Sequence, residues 1–279
     1  MPRIDAHQHF WHFDPVRDAW MTPDMAAIRR DFLPEEFQPL LQQHGLAGCV
    51  AVQASQSEAE TDWLLELAAT HDFIKGVVGW VDLQADNVAE RLGHYRQATK
   101  LKGFRHVLQG EADRALMLKP AFRRGIRALA EFGFTYDLLI LPDQLGYAAE
   151  LAGAFPNQAF VVDHLAKPPI KAQEINDWRR DIWQLAAHEN VYCKVSGLVT
   201  EADWQHWQPQ DFRPYLDVVF AAFGPQRVLY GSDWPVCIVA GGYSRALGLL
   251  EDYFASFTPT EQAQFWGDNA VRFYDLGSS

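Results

Sequence analysis

The chain has 279 residues; 48% are hydrophobic, 22% are charged, and 24 Lys and Arg stand against 36 Asp and Glu. A chain of this size and hydrophobic content buries a large core, which excludes an intrinsically disordered protein. The net charge of −12 argues against nucleic acid and anionic membranes as partners, because both attract clustered Lys and Arg. No apolar run approaches the roughly 18 residues of a membrane-spanning helix.

The three cysteines, Cys49, Cys193 and Cys237, are odd in number and far apart in the chain. Such usage is typical of a reducing compartment and not of a disulfide framework. The first ten residues contain Asp5 and His7, where a signal peptide needs an apolar run. We therefore expect a cytoplasmic protein, and the sequence leaves its oligomeric state open.

Short apolar segments alternate with longer amphipathic ones along the chain, which is typical of βα units. The predicted strands cover residues 3–8, 48–53, 74–82, 101–106, 135–141, 159–163, 191–195 and 227–232. Several, such as CVAVQ and AFVVD, are almost continuously apolar, as strands buried on both faces are. The predicted helices lie near residues 34–44, 57–68, 86–98, 119–131, 143–154, 174–188, 211–222 and 243–255, with a last one from 258.

Eight strand–helix pairs without a Pro-, Gly- or Ser-rich linker predict one α/β domain over residues 1–279, a single (β/α)8 TIM-type barrel. The alternative is an open doubly wound sheet, but no Gly-rich phosphate loop follows the first strand. A barrel carries its active site at the carboxyl ends of its strands. The side chains at these ends are therefore the candidates for function.

Four strand-end candidates are titratable: His7, His9, His164 and Asp233. His7 and His9 are two residues apart on one strand, so both face the same side and can meet one water, one carbonyl oxygen or one metal ion. The alternative for them is a hydrogen-bonded structural pair. Asp233 is either a turn residue or a general base that takes a proton from water. Because buried unpaired charges are costly, a gathering of such groups at one mouth favours catalysis.

Other strand ends carry Arg105, His106 and Lys194. A guanidinium at Arg105 suits a polyhydroxylated or anionic substrate through paired hydrogen bonds, and a surface pair of Arg105 with His106 is the alternative. Lys194 either donates to a substrate oxygen or pairs with a neighbouring acid. Trp11, one of ten tryptophans, is a candidate surface for the CH face of a sugar, or else a loop anchor.

Several chemistries lack their motifs in this sequence. It contains no GxSxG, P-loop, GxGxxG after a strand, CxxC or HExxH. A nucleophile from the protein is therefore not indicated, and activated water takes its place.

Five segments together resemble the amidohydrolase superfamily: IDAHQHFW, LKGFRHVLQ, VVDHLAKP, VYCKVSGL and VLYGSDWPV. They are most similar to its sugar-lactone hydrolases, the L-fuconolactonase and L-rhamnonolactonase group, and to the related pyrone-dicarboxylate lactonases. The resemblance runs from about residue 3 to Phe273 and implies a distorted (β/α)8 barrel. It also implies that His7, His9, His164 and Asp233 occupy the family's first-, sixth- and eighth-strand positions.

Metal-dependent relatives add a histidine on the fifth strand and often a bridging Lys or Glu on the fourth. This chain has Asp137 on the fifth strand and Arg105 with His106 on the fourth, which argues against a binuclear centre. The resemblance implies that lactonases of this branch work without metal, so we expect no strictly required cofactor. If one divalent ion is bound, with zinc foremost, its expected ligands are His7, His9 and Asp233.

We expect hydrolysis of a sugar-acid lactone, an aldonolactone such as fucono- or rhamnonolactone, to the open acid in sugar catabolism. Asp233 activates water, the histidines polarise the carbonyl, and Asp233 or His106 returns the proton to the ring oxygen. The alternatives are a zinc-dependent amidohydrolase or decarboxylase of the same superfamily, a pyrone-dicarboxylate lactonase, and a barrel that binds a sugar acid without catalysis. A dicarboxylate needs several cations, and the chain offers chiefly Arg105, Lys194 and Arg17.

Overall fold

The computed structural model describes residues 2–277 and contains one sheet of eight parallel strands in the order β1 to β8. The strands are β1 Arg3–Gln8, β2 Leu46–Val52, β3 Ile74–Gly79, β4 Leu101–His106, β5 Thr135–Leu138, β6 Phe160–Val162, β7 Val191–Val195 and β8 Val228–Tyr230. The helices are α1 Pro34–Gln43, α2 Glu58–Thr70, α3 Val88–Tyr95, α4 Pro120–Phe132, α5 Leu145–Ala154, α6 Asn176–Ala186, α7 Pro209–Phe223, α8 Tyr243–Phe254, α9 Pro259–Ala263 and α10 Asn269–Tyr274. The predicted (β/α)8 barrel is confirmed, and each helix in this part of the chain is too short or too polar to cross a bilayer.

Some predicted strands were too long at their carboxyl ends. β3 ends at Gly79 and β5 at Leu138, although the apolar runs continue for two or three residues. The continuation is apolar because Val81 and Ile140 are buried under the helices in loops that follow the strands. Hydrophobicity therefore reports burial here, and not membership of the sheet.

The barrel separates two layers of apolar side chains. One lies inside the sheet and includes Ile4, Val50, Val161 and Leu229, while a larger layer fills the space between the sheet and the helices. Helix α10 contributes Phe273 and Tyr274 to the inner layer, and the Phe273 ring lies 4.8 Å from Tyr192 near the start of β7. The C-terminal helix therefore closes the amino end of the barrel.

Strand β1 contains a bulge that determines which side chains face the interior. Asp5 pairs with Cys49 and Gln8 pairs with Ala51, so β1 advances three residues while β2 advances two. Ala6 lies in the inner layer, and His7 contacts interior side chains as well. Bulges of this kind turn a side chain to the opposite face beside many active sites. Simple alternation from Ala6 would have sent His7 outward.

The seam between β8 and β1 is narrow. Two backbone hydrogen bonds join it, from Asp233 N to His7 O at 2.8 Å and from His9 N to Trp234 O at 2.7 Å. Both bonds involve residues predicted to carry the chemistry. The barrel is thus closed at the place where these groups meet.

Candidate active site

A cavity of about 390 Å³ opens at the carboxyl ends of the strands. This volume is within the range of pockets that bind small molecules. Four of its lining side chains, His9, Arg105, His164 and Asp233, come from strand ends and are at most 5% exposed. The loops add further lining groups, among them Trp11, Arg17, Asp18, Trp20, Gln109 and Lys167.

Three imidazoles surround the Asp233 carboxylate. Its Oδ1 lies 3.4 Å from Nε2 of His9 and 3.9 Å from Nε2 of both His7 and His164. The Nε2 atoms of His7 and His9 are 3.2 Å apart, so the two histidines of β1 do face the same side. Groups remote along the chain therefore converge on one point.

Hydrogen bonds orient two of these rings. Nδ1 of His9 lies 2.7 Å from Val52 O; because a carbonyl only accepts, we assign a ring proton to Nδ1, which leaves Nε2 facing Asp233. Nδ1 of His164 lies 2.8 Å from Ser196 Oγ, which leaves its Nε2 directed towards Asp233. Burial lowers the pKa of His164 to about 4 and also holds the pKa of His7 well below its ordinary value. The rings of His7 and His164 are therefore neutral near pH 7.

Asp233 is a buried carboxylate that faces the cavity. Its Oδ1 lies 3.4 Å from Nε2 of His9, and the carboxylate lines the cavity, where a water or a ligand can reach it. Burial alone raises the pKa of Asp233, but the surrounding imidazoles, with His164 foremost, outweigh burial and hold that pKa below its ordinary value. The carboxylate is thus ionised throughout the neutral range.

A buried layer of charge lies behind the histidines. Lys194 Nζ is 2.5 Å from Asp137 Oδ2 and 3.0 Å from Asp163 Oδ1, and Arg105 Nη1 is 3.0 Å from Asp163 Oδ2. Arg105 also donates to Gln53 Oε1 at 2.8 Å. Burial alone raises the pKa of Asp163, but Lys194, His7 and Arg105 hold it well below its usual range. The charges of the two cations and the two carboxylates balance one another. Removing any one of these side chains would leave a buried charge without its partner.

The backbone at the site adopts conformations that most residues avoid. Residues 164–167 all have φ between 52° and 56°, and Asp233 has φ 55°. The left-handed region costs about 1–2 kcal/mol per non-glycine residue, and such strain concentrates at functional sites. This left-handed turn places both His164 and Lys167 on the cavity wall.

Two glycines let the histidines pack directly on the backbone. A Cβ at Gly197, whose φ is 62°, would lie 2.6 Å from Nδ1 of His164. A Cβ at Gly231 would lie 2.6 Å from Cβ of His7. Real Cβ atoms essentially never come that close to a neighbour. Both positions therefore need glycine to keep the imidazoles where they are.

His106, predicted to return a proton to the leaving oxygen, lies apart from the other site residues. Adjacent residues of a strand face opposite sides, and Arg105 takes the interior. His106 lies outside the cavity, with Nε2 2.8 Å from Glu111 Oε1 and Nδ1 accepting from Trp80 Nε1 at 3.3 Å. Both ring nitrogens of His106 are therefore engaged by residues that do not line the cavity.

Of the three residues predicted to contact substrate, two line the cavity and one does not. Arg105 and Trp11 line the cavity, and Trp11 is also anchored by a hydrogen bond from Nε1 to Arg30 O at 2.8 Å. Lys194 is fully buried and pairs with acids, which is the second of its two predicted roles. It lies behind His7 and does not line the cavity.

Sequence reasoning assigned no role to Asp163, which joins both buried cations. A signal for it was present: an acidic residue ends the apolar run AFVVD, directly before His164. A carboxylate in such a run needs a cationic partner, and Arg105 and Lys194 were the strand-end cations available. The Arg17–Asp18 pair at the cavity wall had no comparable signal.

The cluster fits one divalent ion in its spacing. One ligand atom from each of His7, His164 and Asp233 lies within 4.8 Å of the other two, and His9 Nε2 is 3.2 Å from His7 Nε2. A tetrahedral zinc with bonds of about 2.1 Å separates its ligands by about 3.4 Å. His164 thus joins the expected ligands His7, His9 and Asp233.

A parallel eight-stranded barrel with imidazoles and an aspartate at the carboxyl ends of its first, sixth and eighth strands has the arrangement of a hydrolase site. The chain belongs to the amidohydrolase family, whose model matches residues 4–276.

Two curated relatives and one solved structure align with nearly the whole chain. An L-fucono-1,5-lactonase of Burkholderia multivorans is 40% identical over 285 residues, which cover 98% of this chain and 96% of the relative. An L-fucono-1,5-lactonase of Burkholderia ambifaria is 36% identical over 278 residues, with the same coverage. The crystal structure of a B. multivorans amidohydrolase with bound zinc superposes with a TM-score of 0.95 at 40% identity, over 99% of this chain and 100% of that one.

Proposed function

We propose that this enzyme hydrolyses a sugar-acid lactone, an aldonolactone of the L-fucono-1,5-lactone type, to the open acid. The observation that carries the proposal is the Asp233 carboxylate: it is buried, ionised, faces the cavity and lies within 3.9 Å of three imidazoles. A water held there lies beside the imidazoles of His9 and His164. The two lactonase relatives supply the substrate class.

In the proposed reaction, Asp233 takes a proton from water as the water oxygen attacks the lactone carbonyl carbon. The tetrahedral intermediate then expels the ring oxygen, and Asp233 returns the proton to it, because His106 is out of reach. A low pKa makes Asp233 a modest base. A lactone is an activated ester, so the reaction asks less of its base than hydrolysis of an amide.

Two cavity groups are placed to stabilise the oxyanion. Arg105 is a permanent cation whose guanidinium is fixed by Asp163 and Gln53. His164 is neutral and presents Nε2 to the cavity, with Ser196 at its other nitrogen. In other enzymes the removal of one such donor costs about 2.7–4 kcal/mol of transition-state stabilisation. His7 is fully buried and acts on the site through its neighbours.

No metal is strictly required in this proposal. An ion held by His7, His9, His164 and Asp233 would supply Lewis-acid polarisation of the carbonyl. We also retain the expectation of a cytoplasmic enzyme of sugar catabolism, supported by three cysteines that are buried and unpaired.

The cations at the cavity favour a neutral lactone over a dicarboxylate. Arg17 is paired with Asp18 at 2.7 Å, Lys167 with Glu201 at 3.1 Å, and Arg105 with Asp163. A pyrone-dicarboxylate would have to compete with these carboxylates for each cation. The polar pairs suit hydroxyl groups, which both donate and accept.

The test is a pH-indicator assay of fucono-, rhamnono-, galactono- and arabinono-lactones, with 2-pyrone-4,6-dicarboxylate alongside. We expect turnover of at least one aldonolactone well above spontaneous opening, and little turnover of the pyrone. Asp233→Asn should lower kcat by about 10²–10⁴-fold while the protein stays folded, because the amide keeps the shape of the carboxylate. Binding without ring opening, or full activity in Asp233→Asn, would overturn the proposal.

A further inference from the structure

The loop between β1 and α1 forms a wall of the cavity that stands apart from the strand ends. Arg17, Asp18 and Trp20 of this loop line the cavity together with Trp11. The rings of Trp11 and Trp20 are 6.2 Å apart, and the ring of Trp11 lies 6.3 Å from that of His9. Trp11 is buried, whereas Trp20 is about half exposed. The loop wall therefore begins beside His9 and continues towards solvent.

Hydrogen bonds hold the guanidinium of Arg17 in one orientation on this wall. Nε donates to Asp18 Oδ1 at 2.9 Å, Nη2 donates to Asp18 Oδ2 at 2.7 Å, and Nη2 also donates to His12 O. Asp18 is 4% exposed and accepts from Asp14 N at 2.9 Å, so this carboxylate is itself anchored. A side chain ordered in this way loses little further freedom when a ligand binds.

Two hydrogens of this guanidinium remain available to a ligand. A guanidinium carries five N–H hydrogens, and three of those of Arg17 are used by Asp18 and His12 O. Within residues 2–277, no acceptor is bonded to Nη1 of Arg17, whose side chain lines the cavity and is 45% exposed. The loop wall thus offers two free N–H donors on a fixed group.

The charges at this wall favour a neutral acceptor over an anion. Arg17 and Asp18 form an ion pair without net charge, and the Glu60 carboxylate attracts both Arg17 and Arg105. A carboxylate ligand would compete with Asp18 for the guanidinium. A hydroxyl oxygen accepts from Nη1 and leaves the ion pair intact. The free donors therefore fit the hydroxyl groups of a sugar.

We propose that Arg17 is a specificity-determining residue that donates from Nη1 to hydroxyl groups of the lactone ring, on carbons away from the reacting carbonyl. This rests on the proposed lactonase function, which places the carbonyl at Asp233 and Arg105 and so turns the hydroxyl-bearing carbons towards the loops. Trp20 beside Arg17 offers an apolar face to the C–H groups of the ring. Asp18 is a positioning residue, because it acts by fixing the guanidinium.

The kinetic test compares L-fucono-1,5-lactone with δ-valerolactone, which has the same ring and carbonyl but no hydroxyl. The double variant Arg17→Met with Asp18→Asn removes the donors without leaving an unpaired charge, and the new amide oxygen can still accept from Asp14 N. We expect kcat/KM to fall by about 10- to 100-fold for the fuconolactone and to change by less than about threefold for valerolactone. An equal loss on both lactones, or no loss on either, overturns the proposal.

A second variant guards against a folding defect. Arg17→Lys keeps the charge beside Asp18 but replaces the planar set of donors with a flexible ammonium. Its loss should again be confined to the fuconolactone. If Arg17→Lys loses activity equally on both lactones, the hydroxyl groups are not what Arg17 recognises.

The matched control is the surface pair of Arg180 and Asp181 on α6. These two residues are also neighbours in sequence and have the same geometry, with Nε 2.7 Å from Oδ1 and Nη2 3.0 Å from Oδ2, but they do not line the cavity. Arg180→Met with Asp181→Asn should keep kcat/KM for both lactones within about twofold of the wild type, because exposed ion pairs contribute little. A selective loss on the fuconolactone here would contradict a role of the loop wall.

A binding measurement separates this proposal from the proposed function. The δ-lactam of L-fuconic acid keeps the ring and its hydroxyls but resists opening, and 2-piperidone is the same ring without hydroxyls. By calorimetry, the double variant at Arg17 and Asp18 should bind the fuconolactam about 10- to 100-fold more weakly than the wild type, with 2-piperidone unaffected. Equal affinity of both proteins for the fuconolactam, or no binding by the wild type, overturns the role of Arg17. The expected affinities without lactone turnover by the wild type would refute the proposed function alone.

Discussion

The neutral burial of His164 makes a quantitative prediction about stability. Its pKa falls from 6.5 in the unfolded chain to about 4 in the folded one, chiefly through burial. The unfolded state therefore binds a proton first as the pH falls, and the folded state loses stability below pH 6.5. At pH 5.0, which lies about 1.5 pH units below the unfolded-state pKa and above the folded-state pKa, the loss is about 2 kcal/mol at roughly 1.36 kcal/mol per unit.

Other buried carboxyl groups also titrate in this window, so the measurement is a difference between two proteins. Asn tolerates the left-handed backbone of His164 (φ 53°) better than most residues, and His164→Asn removes the ionisable ring. From urea unfolding at pH 7.5 and 5.0, the wild type should lose about 2 kcal/mol more than this variant. His206→Asn, at a side chain 83% exposed, controls for removing a histidine. Equal losses in the wild type and His164→Asn would refute the neutral, buried state of the ring.

Three further predictions concern activity. Gly197→Ala should lower kcat at least about tenfold, because its methyl group would collide with His164. Gly133→Ala is the control: Gly133 is also left-handed but has open space around it, so the variant should lose only about 1 kcal/mol of stability. Equal kcat values in the two variants would contradict the packing argument. His106→Gln should keep kcat within about threefold, whereas a loss above about 100-fold would restore His106 as the proton donor. Exhaustive chelation, checked by metal analysis, should leave lactonase activity intact; a loss that zinc restores would show that the ion is needed.

The strands and their order were predictable because buried parallel strands are marked by continuous apolar runs. The barrel buries both faces of the sheet, so residues such as Val161 and Leu229 that face its interior are apolar as well. The convergence of His7, His164 and Asp233 followed from the same topology, since parallel strands place all their carboxyl ends at one mouth.

Side-chain direction was harder to predict. Simple alternation already separates Arg105 from His106, and the expectation that both face the site neglected it. The bulge in β1 could not be predicted, since it arises from the register against β2 and not from any residue type in IDAHQH. The left-handed run at His164 was equally hidden, because HLAK contains no glycine.

The narrow seam between β8 and β1 brings the two ends of the chain together at the site. The hydrogen bond from Ser232 N to Asp5 Oδ1 spans 227 positions of the chain, and ordering so long a loop costs entropy. Because Asp233 follows β8, a chain that ends before this strand would hold the histidines of β1 without their aspartate.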